Sequence, residues 1–416
     1  MTQDLAPAPR RVALVLSGGG ARGAYEAGVL SYLLHDLAPR LGRPVHFDIV
    51  TGTSVGAVHA CYVGAWQQDA DAGKRLVDIW RSLSLDRVFP VGPVEVFRVP
   101  WRLFGLGTGG AVLPGTPEGI PPRLPGLFDT SWLEAIVLHQ ISWPTLHQNI
   151  ENGDLEALAV AATEIATGRS VVFVDNRSGT VPQWARDPFV IPRPVRIGPA
   201  HALASAAMPL VFPAIQIDRA AYCDGGLRLN TPLAPALRLG ADRVLVIGLR
   251  YPRSSEEEDR IARRRAAGST TPTYLIGKAL NALLLDRIEH DVDRLRLFNA
   301  ILESGVRNYG TDFIRRINES IIEQRNTPYR IVRNLLLRPS KDLGTLAAEC
   351  LHHQSRSRSL GDWLSRNIAR YVGRGALGEA DLLSYLFFDR CYANHLIELG
   401  RHDAEQATDE LVAFLS

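Results

Sequence analysis

The alternation of apolar runs and glycine-rich turns near the start of the chain constrains its fold more than any other feature. Val12–Leu16 is a continuous apolar run, which is typical of a strand covered on both faces. A glycine loop at 17–23 and apolar residues at helical spacing follow it. Val45–Val50 has the pattern of the next strand, and Val55–Trp66 that of a helix rich in small residues. This order predicts a parallel sheet with right-handed crossovers.

The chain is long enough for more than one structural unit, because 416 residues exceed the usual size of one compact domain. Three more strands are predicted at Ala157–Glu164, Ser170–Val174 and Arg243–Leu249. The charged stretch Arg253–Arg265 then interrupts the pattern, and helical patterns dominate beyond it. The predicted units are a flexible tail (1–11), an α/β domain (12–250), a charged linker (251–272) and a mainly helical C-terminal extension (273–416).

Prolines and glycines dominate residues 89–128, which lack a regular pattern. Apolar and aromatic residues between positions 96 and 106 are interleaved there with Arg98 and Arg102. Long loops of this kind are typical of lids and binding loops, and this composition suits shallow insertion beside anionic head groups. A lid or an interfacial insertion is therefore predicted, with packing in an ordinary core as the alternative.

Composition and charge exclude some classes of function. Hydrophobic residues make up 46% of the chain and charged residues 22%, so a large core is expected. The net charge of +2 argues against a nucleic-acid binder. Residues 1–10 lack an apolar signal core, and no run long enough to span a membrane occurs. The cysteines are isolated in the sequence and are expected to be reduced thiols in a cytoplasmic protein. They are Cys61, Cys223, Cys350 and Cys391.

The segment Gly52-Thr53-Ser54-Val55-Gly56 lies between a predicted strand and a predicted helix. Its glycines leave room for a sharp turn that exposes the serine hydroxyl, and the helix that follows adds its positive end near that oxygen. A serine hydroxyl is a poor nucleophile near neutral pH, so it needs a base and donors for the oxyanion that forms. The alternative is a serine that merely caps the helix after a tight turn.

A second glycine motif, Gly18–Gly23, follows the first predicted strand and precedes a helix. Its backbone N–H groups can form a concavity for developing negative charge. The motif contains the G-x-G-x-x-G pattern of dinucleotide sites, but the next strand delivers Thr51–Ser54 where an acidic ribose partner is required. It lacks the Gly-Lys-Ser/Thr of phosphate loops, and it can also be a simple turn. Beside a serine turn on the neighbouring strand, an oxyanion hole is the preferred interpretation.

The base that would activate the serine is not evident among the eleven histidines, although a conventional triad uses one. His59 follows Ser54 on the same helix, roughly 140° around it, and is expected to face elsewhere. Asp224 lies instead in Tyr222-Cys-Asp-Gly-Gly226, a turn that can fix a carboxylate. Burial beside the serine would raise the pKa of this carboxyl from about 4 and make it a better base. An Asp-Gly turn without a chemical role is the alternative.

Four motifs together resemble those of the patatin-like phospholipases, in the order in which that family has them. They are the glycine block Gly18–Gly23 with Arg22, the elbow Gly52–Gly56, the A-S-x-x-x-P block Ala204–Pro209, and Asp224–Gly226 followed by Asn230 and Pro232. No one of these motifs is highly specific alone, whereas the four together are. The resemblance covers Val12–Leu237 and makes 12–250 the catalytic domain.

The resemblance implies a three-layer α/β/α sandwich with a mostly parallel central sheet, akin to that of cytosolic phospholipase A2. It also implies a Ser–Asp dyad without histidine. Carried over to this chain, Ser54 is the nucleophile and Asp224 is the general base. The backbone at Gly18, Gly19 and Gly20 forms the oxyanion hole.

The same resemblance assigns supporting roles. Arg22 supports the glycine loop or contacts the substrate head group, and Ser205 and Pro209 shape a helix beside the site. The remaining supporting residues are Gly23, Gly52, Gly56, Gly225 and Gly226.

The function implied is release of fatty acid from a phospholipid or related glycerolipid ester through an acyl-Ser54 intermediate. The alternatives are a soluble-ester hydrolase, an acyltransferase that uses the same dyad, and a lipid- or protein-binding scaffold without activity. No metal or organic cofactor is expected, since calcium-ligand loops are absent from the sequence. The expected partner is the lipid substrate, with transient peripheral contact to a membrane and no nucleic acid. Oligomeric state and head-group preference stay open.

Overall fold

The computed structural model describes residues 11–83, 130–181, 190–209, 211–254, 288–325, 327–354 and 384–416. Short stretches between these ranges are also described, at 114–115, 121–123, 184, 256–257 and 259–260.

In the described part of the chain, nine strands form one sheet at the centre of the molecule. The strands are β1 (Val12–Leu16), β2 (Ile49–Thr53), β3 (Ala157–Glu164), β4 (Ser170–Asn176), β5 (Val190–Pro194), β6 (Ile215–Ile217), β7 (Ala220–Asp224), β8 (Arg243–Ile247) and β9 (Arg333–Leu337). The main order is β5-β4-β3-β2-β1-β8-β9, while β7 pairs with β3 and β6 with β7. The five neighbouring strands β3-β2-β1-β8-β9 run parallel to one another. Strands β4 and β7 run antiparallel to β3.

Helices surround the sheet. They are α1 (Gly23–Ser31), α2 (Ala38–Leu41), α3 (Val55–Trp66), α4 (Ala72–Ser82), α5 (Ser131–His139), α6 (Trp143–Asn152), α7 (Pro199–Ser205), α8 (Leu233–Arg238), α9 (Ile288–Tyr309), α10 (Phe313–Arg325), α11 (Leu343–Gln354), α12 (Arg390–Gln406) and α13 (Thr408–Leu415).

Apolar cores lie on both faces of the sheet, because successive side chains of a strand alternate between faces. Leu14 and Leu16 of β1 pack with α1, α3 and α12 on one face. Ala13 and Val15 pack with α8 and α9 on the other. The predicted three-layer α/β/α sandwich with a mostly parallel sheet and a C-terminal helical region is therefore confirmed.

Most predicted elements have the expected bounds, but the second strand begins later. β2 starts at Ile49, where it pairs with Ala13, and not at Val45. Two positions earlier, the backbone N–H and carbonyl of Phe47 form hydrogen bonds with the side chain of Gln67 and not with a strand. This buried apolar segment is therefore held by a side chain and not by a neighbouring strand. Periodicity alone does not distinguish such a segment from a strand.

The C-terminal third contributes directly to this sheet and its cover. Strand β9, which was not predicted from the sequence, pairs in parallel with β8. Helix α12 packs on α1 with very close backbone approach, since a Cβ at Gly28 would collide with the carbonyl of Ile397, and one at Gly400 with that of Tyr25. The Tyr25 hydroxyl also donates to Asp403 at 3.1 Å. The predicted boundary near residue 250 stays a prediction, and most of the predicted linker lies outside the described residues.

The cysteine prediction is wrong for two of the four residues. Cys350 of α11 and Cys391 of α12 form a disulfide, with their Cα atoms 6.1 Å apart. Cys61 and Cys223 are free and buried. The fold brings together two cysteines that are 41 positions apart, and isolated spacing in the sequence gave no sign of this. Within the described part of the chain, we find no helix with the length and hydropathy that a bilayer-spanning segment requires.

Candidate active site

Strand β3 brings the predicted serine and aspartate together. On β3, Ala161 pairs with Thr53, the last residue of β2, and the next residue, Ala162, pairs with Asp224 at the end of β7. The chain turns away from β3 at Ser54, and β7 pairs with β3 from that level onward. Ser54 and Asp224 therefore meet although 170 positions separate them.

Ser54 lies on a sharp turn between β2 and α3. Its backbone has φ 55° and ψ −126°, a conformation that is unfavourable for a residue with a side chain. Two glycines make the turn possible: a Cβ at Gly52 would collide with the carbonyl of Gly56, and a Cβ at Gly56 would lie 2.6 Å from the carbonyl of Leu16. The same glycines predicted this elbow from the sequence, and the serine N-terminal to α3 has the backbone geometry of a nucleophile turn.

The two side chains form a direct hydrogen bond. Ser54 Oγ donates to Asp224 Oδ2 at 2.6 Å, and the N–H of Gly226 donates to Asp224 Oδ1 at 2.7 Å. Burial raises the pKa of Asp224 to about 6, against the opposing effect of the hydrogen bonds from Ser54 and Gly226. A carboxyl with this pKa is ionised at neutral pH and is a stronger base than an exposed aspartate. Gly225 packs against the carbonyl of Ala161 in the same turn.

The segment around a second serine, Ser205, holds the backbone of both residues. Ser205, at the end of α7, accepts the Ser54 N–H at 2.9 Å and donates its own hydroxyl to Ala161 O at 2.5 Å. Two residues further on, the carbonyl of Ala207 accepts the Asp224 N–H at 2.8 Å. The A-S-x-x-x-P block thus contacts the backbone of the serine and of the aspartate.

The glycine loop after β1 offers amide donors beside Ser54. The Gly18 N–H donates to the carbonyl of Asn230 at 2.9 Å, and the Asn230 side chain donates back to Gly18 O at 3.1 Å. The amides of Gly19 and Gly20 have no hydrogen-bond partner among the described residues. Of the three predicted donors, these two are available for an incoming oxygen, whereas that of Gly18 anchors the loop. Gly20 has φ 54°, which favours glycine at this position.

Arg22 is buried and contacts the C-terminal region. Its Nε donates to Ser384 Oγ at 2.8 Å, and its guanidinium lies 4.0 Å from the ring centre of Tyr385. The Tyr385 carbonyl packs against Gly20 so closely that no Cβ would fit there. Of the two predicted roles for Arg22, support of the loop agrees with this environment. Gly23, also predicted as supporting, packs against Val55 at the start of α3.

An apolar cavity opens beside Ser54 and Gly20. Aliphatic and aromatic side chains from several helices and from the segments between them line it, including Val58, Leu76, Trp80, Trp132, Phe212 and Phe388. The shape and lining suit a hydrocarbon chain whose reacting end lies at Ser54.

His59 lines the same cavity, although the sequence analysis expected it to face elsewhere. Its Nε2 accepts the indole N–H of Trp80 at 2.9 Å, so Nδ1 carries the proton and donates to Glu26 Oε2 at 2.8 Å. Glu26 also accepts the N–H of Ser17 at 2.8 Å. Burial lowers the pKa of His59 to about 3. A neutral imidazole with both nitrogens engaged is not a base for Ser54, and it positions Trp80 in the cavity wall.

The C-terminal contribution to the site was not predicted from the sequence. Ser384, Tyr385 and Phe388 lie far from the four motifs, and no local pattern distinguishes them. The predicted lid or interfacial insertion at 89–128 falls outside the described residues apart from 114–115 and 121–123, and it stays a prediction.

Among the described residues, one group of side chains could hold a metal ion: Cys350, Cys391 and His395. Its two sulfurs form the disulfide described above. The cavity beside Ser54 has no comparable group within the described ranges.

A family model and several known proteins match this chain. The family model described as "Patatin-like phospholipase" matches residues 14–237. A cGAMP-activated phospholipase of Pseudomonas aeruginosa is 29% identical over 227 residues, which is 53% of this chain and 53% of that protein. The chain thus spans about half the length of this curated relative.

Two further similarities are shorter or more distant. Lysophospholipase NTE1 of Candida albicans is 36% identical over 106 residues, which is 23% of this chain and 7% of that protein. Among solved structures, human GIVD cytosolic phospholipase A2 aligns with 98% of this chain and 60% of its own chain, at 12% identity and a TM-score of 0.42.

Proposed function

Since the chain belongs to the patatin-like phospholipase family, we propose that it is a serine hydrolase that releases fatty acid from phospholipid or related glycerolipid esters. The observation that carries this proposal is the 2.6 Å hydrogen bond from Ser54 Oγ to Asp224 Oδ2 beside an apolar cavity. The phospholipase names of the relatives agree with a lipid substrate.

In the proposed reaction, Asp224 takes the hydroxyl proton while Ser54 Oγ attacks the ester carbonyl. The amides of Gly19 and Gly20 donate hydrogen bonds to the oxyanion of the tetrahedral intermediate. Asp224 then returns the proton to the departing alcohol oxygen, which leaves an acyl-Ser54 ester. A water molecule activated by the same carboxylate hydrolyses this ester and releases the fatty acid.

The cavity supports an acyl chain as the recognised group. Its lining is apolar, and burial of hydrocarbon there would contribute about 0.8 kcal/mol for each methylene. Such a site binds the fatty acyl part of a lipid and leaves the head group outside. Transient contact with a membrane surface follows from a substrate of this kind.

The test is labelling with an active-site fluorophosphonate, followed by release of fatty acid from phosphatidylcholine vesicles. We expect one adduct on Ser54 and free fatty acid as product. Ser54→Ala should abolish both, whereas Ser178→Ala, which changes an exposed serine, should abolish neither.

Three outcomes would contradict parts of this proposal. If Ser54 is labelled but the protein hydrolyses only a short soluble ester and not the vesicles, a soluble-ester hydrolase would be favoured. Transfer of the acyl group to an added alcohol in preference to water would favour an acyltransferase. No adduct on Ser54 would favour a binding scaffold without activity.

A further inference from the structure

The segment 384–389 completes the site from the C-terminal side. Ser384 and Tyr385 contact Arg22, and the carbonyl of Tyr385 packs on Gly20 of the glycine loop. Phe388 lines the cavity, with its ring centre 6.3 Å from that of Trp80 in a stacked arrangement. The conformation of this segment therefore bears on both the proposed oxyanion donors and the acyl-binding wall.

A disulfide anchors this segment at its C-terminal end. Asp389 caps α12 by accepting the N–H groups of Cys391 and Tyr392 at 2.8 and 3.3 Å. Cys391 thus lies in the first turn of α12, directly after the segment, and its sulfur is bonded to Cys350 of α11. The Tyr392 hydroxyl adds a second link to α11 by donating to Leu343 O at 3.1 Å.

His395 lies beside both sulfur atoms. Its Nδ1 is 3.4 Å from Cys350 Sγ and 3.6 Å from Cys391 Sγ. The same Nδ1 is 2.8 Å from the carbonyl of Cys391, and because a carbonyl oxygen only accepts, Nδ1 carries a proton. His395 is exposed and Cys391 is partly exposed, whereas Cys350 is 1% exposed. An external thiol can therefore reach Cys391 more easily than Cys350.

The other two cysteines lack these properties. Burial raises the pKa of the Cys61 thiol far above its usual range and that of Cys223 to about 11. Buried thiols that stay protonated are poor nucleophiles and react slowly with disulfides. Of the four cysteines, two are therefore buried, unreactive free thiols, and the other two form the disulfide beside His395.

We propose that Cys350 and Cys391, with His395, form a thiol–disulfide exchange site that controls the activity of Ser54 through the segment 384–389. This inference rests on the proposed function, because it concerns the regulation of the same active site. The oxidised form holds the segment against the glycine loop and the cavity, and the reduced form releases it in part. The hydrogen bond from Tyr392 to Leu343 remains after reduction, so α11 and α12 stay associated.

The exchange is balanced with a low-molecular-weight thiol such as glutathione. Its thiolate attacks Cys391 Sγ, the bond between the two protein sulfurs breaks, and Cys350 leaves as a thiolate. The Nδ1–H of His395, which lies 3.4 Å from Cys350 Sγ, is then shared between the Cys391 carbonyl and this thiolate and stabilises the thiolate. A second glutathione thiolate then attacks the glutathione sulfur of the mixed disulfide, which releases the Cys391 thiolate and forms oxidised glutathione.

The first experiment uses the wild-type chain equilibrated in glutathione buffers of graded reducing strength. Non-reduced peptide mapping reports the peptide that joins Cys350 to Cys391, and ester hydrolysis is measured on the same samples below the melting temperature. Displacing a catalytic group by about 1 Å can lower a rate by about a hundredfold. Because reduction releases the segment only in part, we expect a smaller fall in hydrolysis, roughly tenfold. The fall should follow the loss of the cross-linked peptide, with the same midpoint.

Variants separate this inference from a general effect of reductant. Cys391→Ser should have the activity of the reduced form in every buffer, and Cys61→Ala, as the matched control, should respond like the wild type. His395→Ala should leave the oxidised activity unchanged and slow reduction by glutathione roughly three- to tenfold, the range for loss of one hydrogen bond.

Three results would overturn the inference. The first is hydrolysis that is equal in the oxidised and reduced wild type. The second is absence of the cross-linked peptide under oxidising buffer. The third is a stoichiometric zinc ion that Cys391→Ser releases, because a metal centre would then occupy the three side chains. Absence of both hydrolysis and Ser54 labelling in either form would overturn the proposed function as well, so the two failures are distinguishable.

Discussion

Asp224 combines full burial with a hydrogen bond from the serine, and these two features change its pKa in opposite directions. Burial dominates and raises its pKa to about 6. Because the ionised form is the proposed base, the protonated form should be inactive. Because the same burial disfavours the charged form, ionisation of Asp224 lowers the stability of the folded state.

The first prediction concerns pH. We expect kcat/KM to fall on the acid side with an apparent pKa near 6, since protonated Asp224 accepts no proton from Ser54. A rate that is constant from pH 8 to pH 5 would contradict this assignment. The measurement is the pH profile for a neutral short-chain ester, whose own ionisation does not change in this range.

The second prediction concerns stability. The folded-state pKa of Asp224 lies above the unfolded value, so the folded state binds more protons between the two values and stability falls as pH rises from about 4 to about 6. Asp224→Asn removes this effect and should raise the free energy of unfolding by roughly 2 to 3 kcal/mol at pH 7, but by much less at pH 4. Urea unfolding of both proteins at the two pH values measures it. An equal difference at both values would contradict the argument.

The third prediction concerns Ser205. Ser205→Ala leaves the buried Ser54 N–H without an acceptor and should lower the free energy of unfolding by about 1 to 3 kcal/mol. It should also lower kcat more than it raises KM, because the elbow and not the cavity is disturbed. Ser170→Ala is the matched control, since Ser170 Oγ is buried without a hydrogen-bond partner among the described residues. If the two variants lose equal stability and equal kcat, Ser205 does not position the Ser54 elbow.

At the scale of elements, the sequence predicted those parts of the site that local chemistry determines. Glycines at positions 52 and 56 indicated the elbow, and the Asp-Gly-Gly turn indicated the carboxylate. The role of β3 in aligning them depends on register between strands, which no local pattern specifies. Strand β9 and helix α12 were harder still, because their partners β8 and α1 lie far away in the sequence.

The fourth prediction concerns the turn before α12. Phe388→Ala removes a ring that contacts Trp80 and Trp132 in the cavity wall. The enlarged cavity should bind long acyl chains less well, so we expect a higher KM for long-chain esters and a smaller change for short ones. Phe414→Ala, at a similarly buried position of α13, is the control for loss of stability. A similar KM change in both variants would contradict a specific role for Phe388.

At the scale of the whole molecule, the C-terminal third covers surfaces that the first 250 residues cannot cover alone. β9 pairs with the edge of β8, and α12 lies on α1, whose residues are all buried. The four motifs occupy the N-terminal part, and their positions alone favoured an independent catalytic domain. Packing between distant segments is the reason why motif positions do not define a folding unit.

The fifth prediction concerns truncation. A chain that ends at residue 250 exposes the unpaired edge of β8 and the apolar face of α1, so we expect it to aggregate or to lack a cooperative unfolding transition. Gel filtration and thermal unfolding measure this. A compact and active fragment would contradict the argument and support a separate catalytic domain.

The most direct test of the central claim is a double-mutant comparison of fatty acid release from phosphatidylcholine vesicles. We expect Ser54→Ala and Asp224→Asn each to lower kcat by at least about a thousandfold, and the double variant to lose hardly more than the worse single one, because the two groups act as a unit. If Asp224→Asn keeps near wild-type kcat, or if the two losses multiply, Ser54 and Asp224 do not form a catalytic dyad.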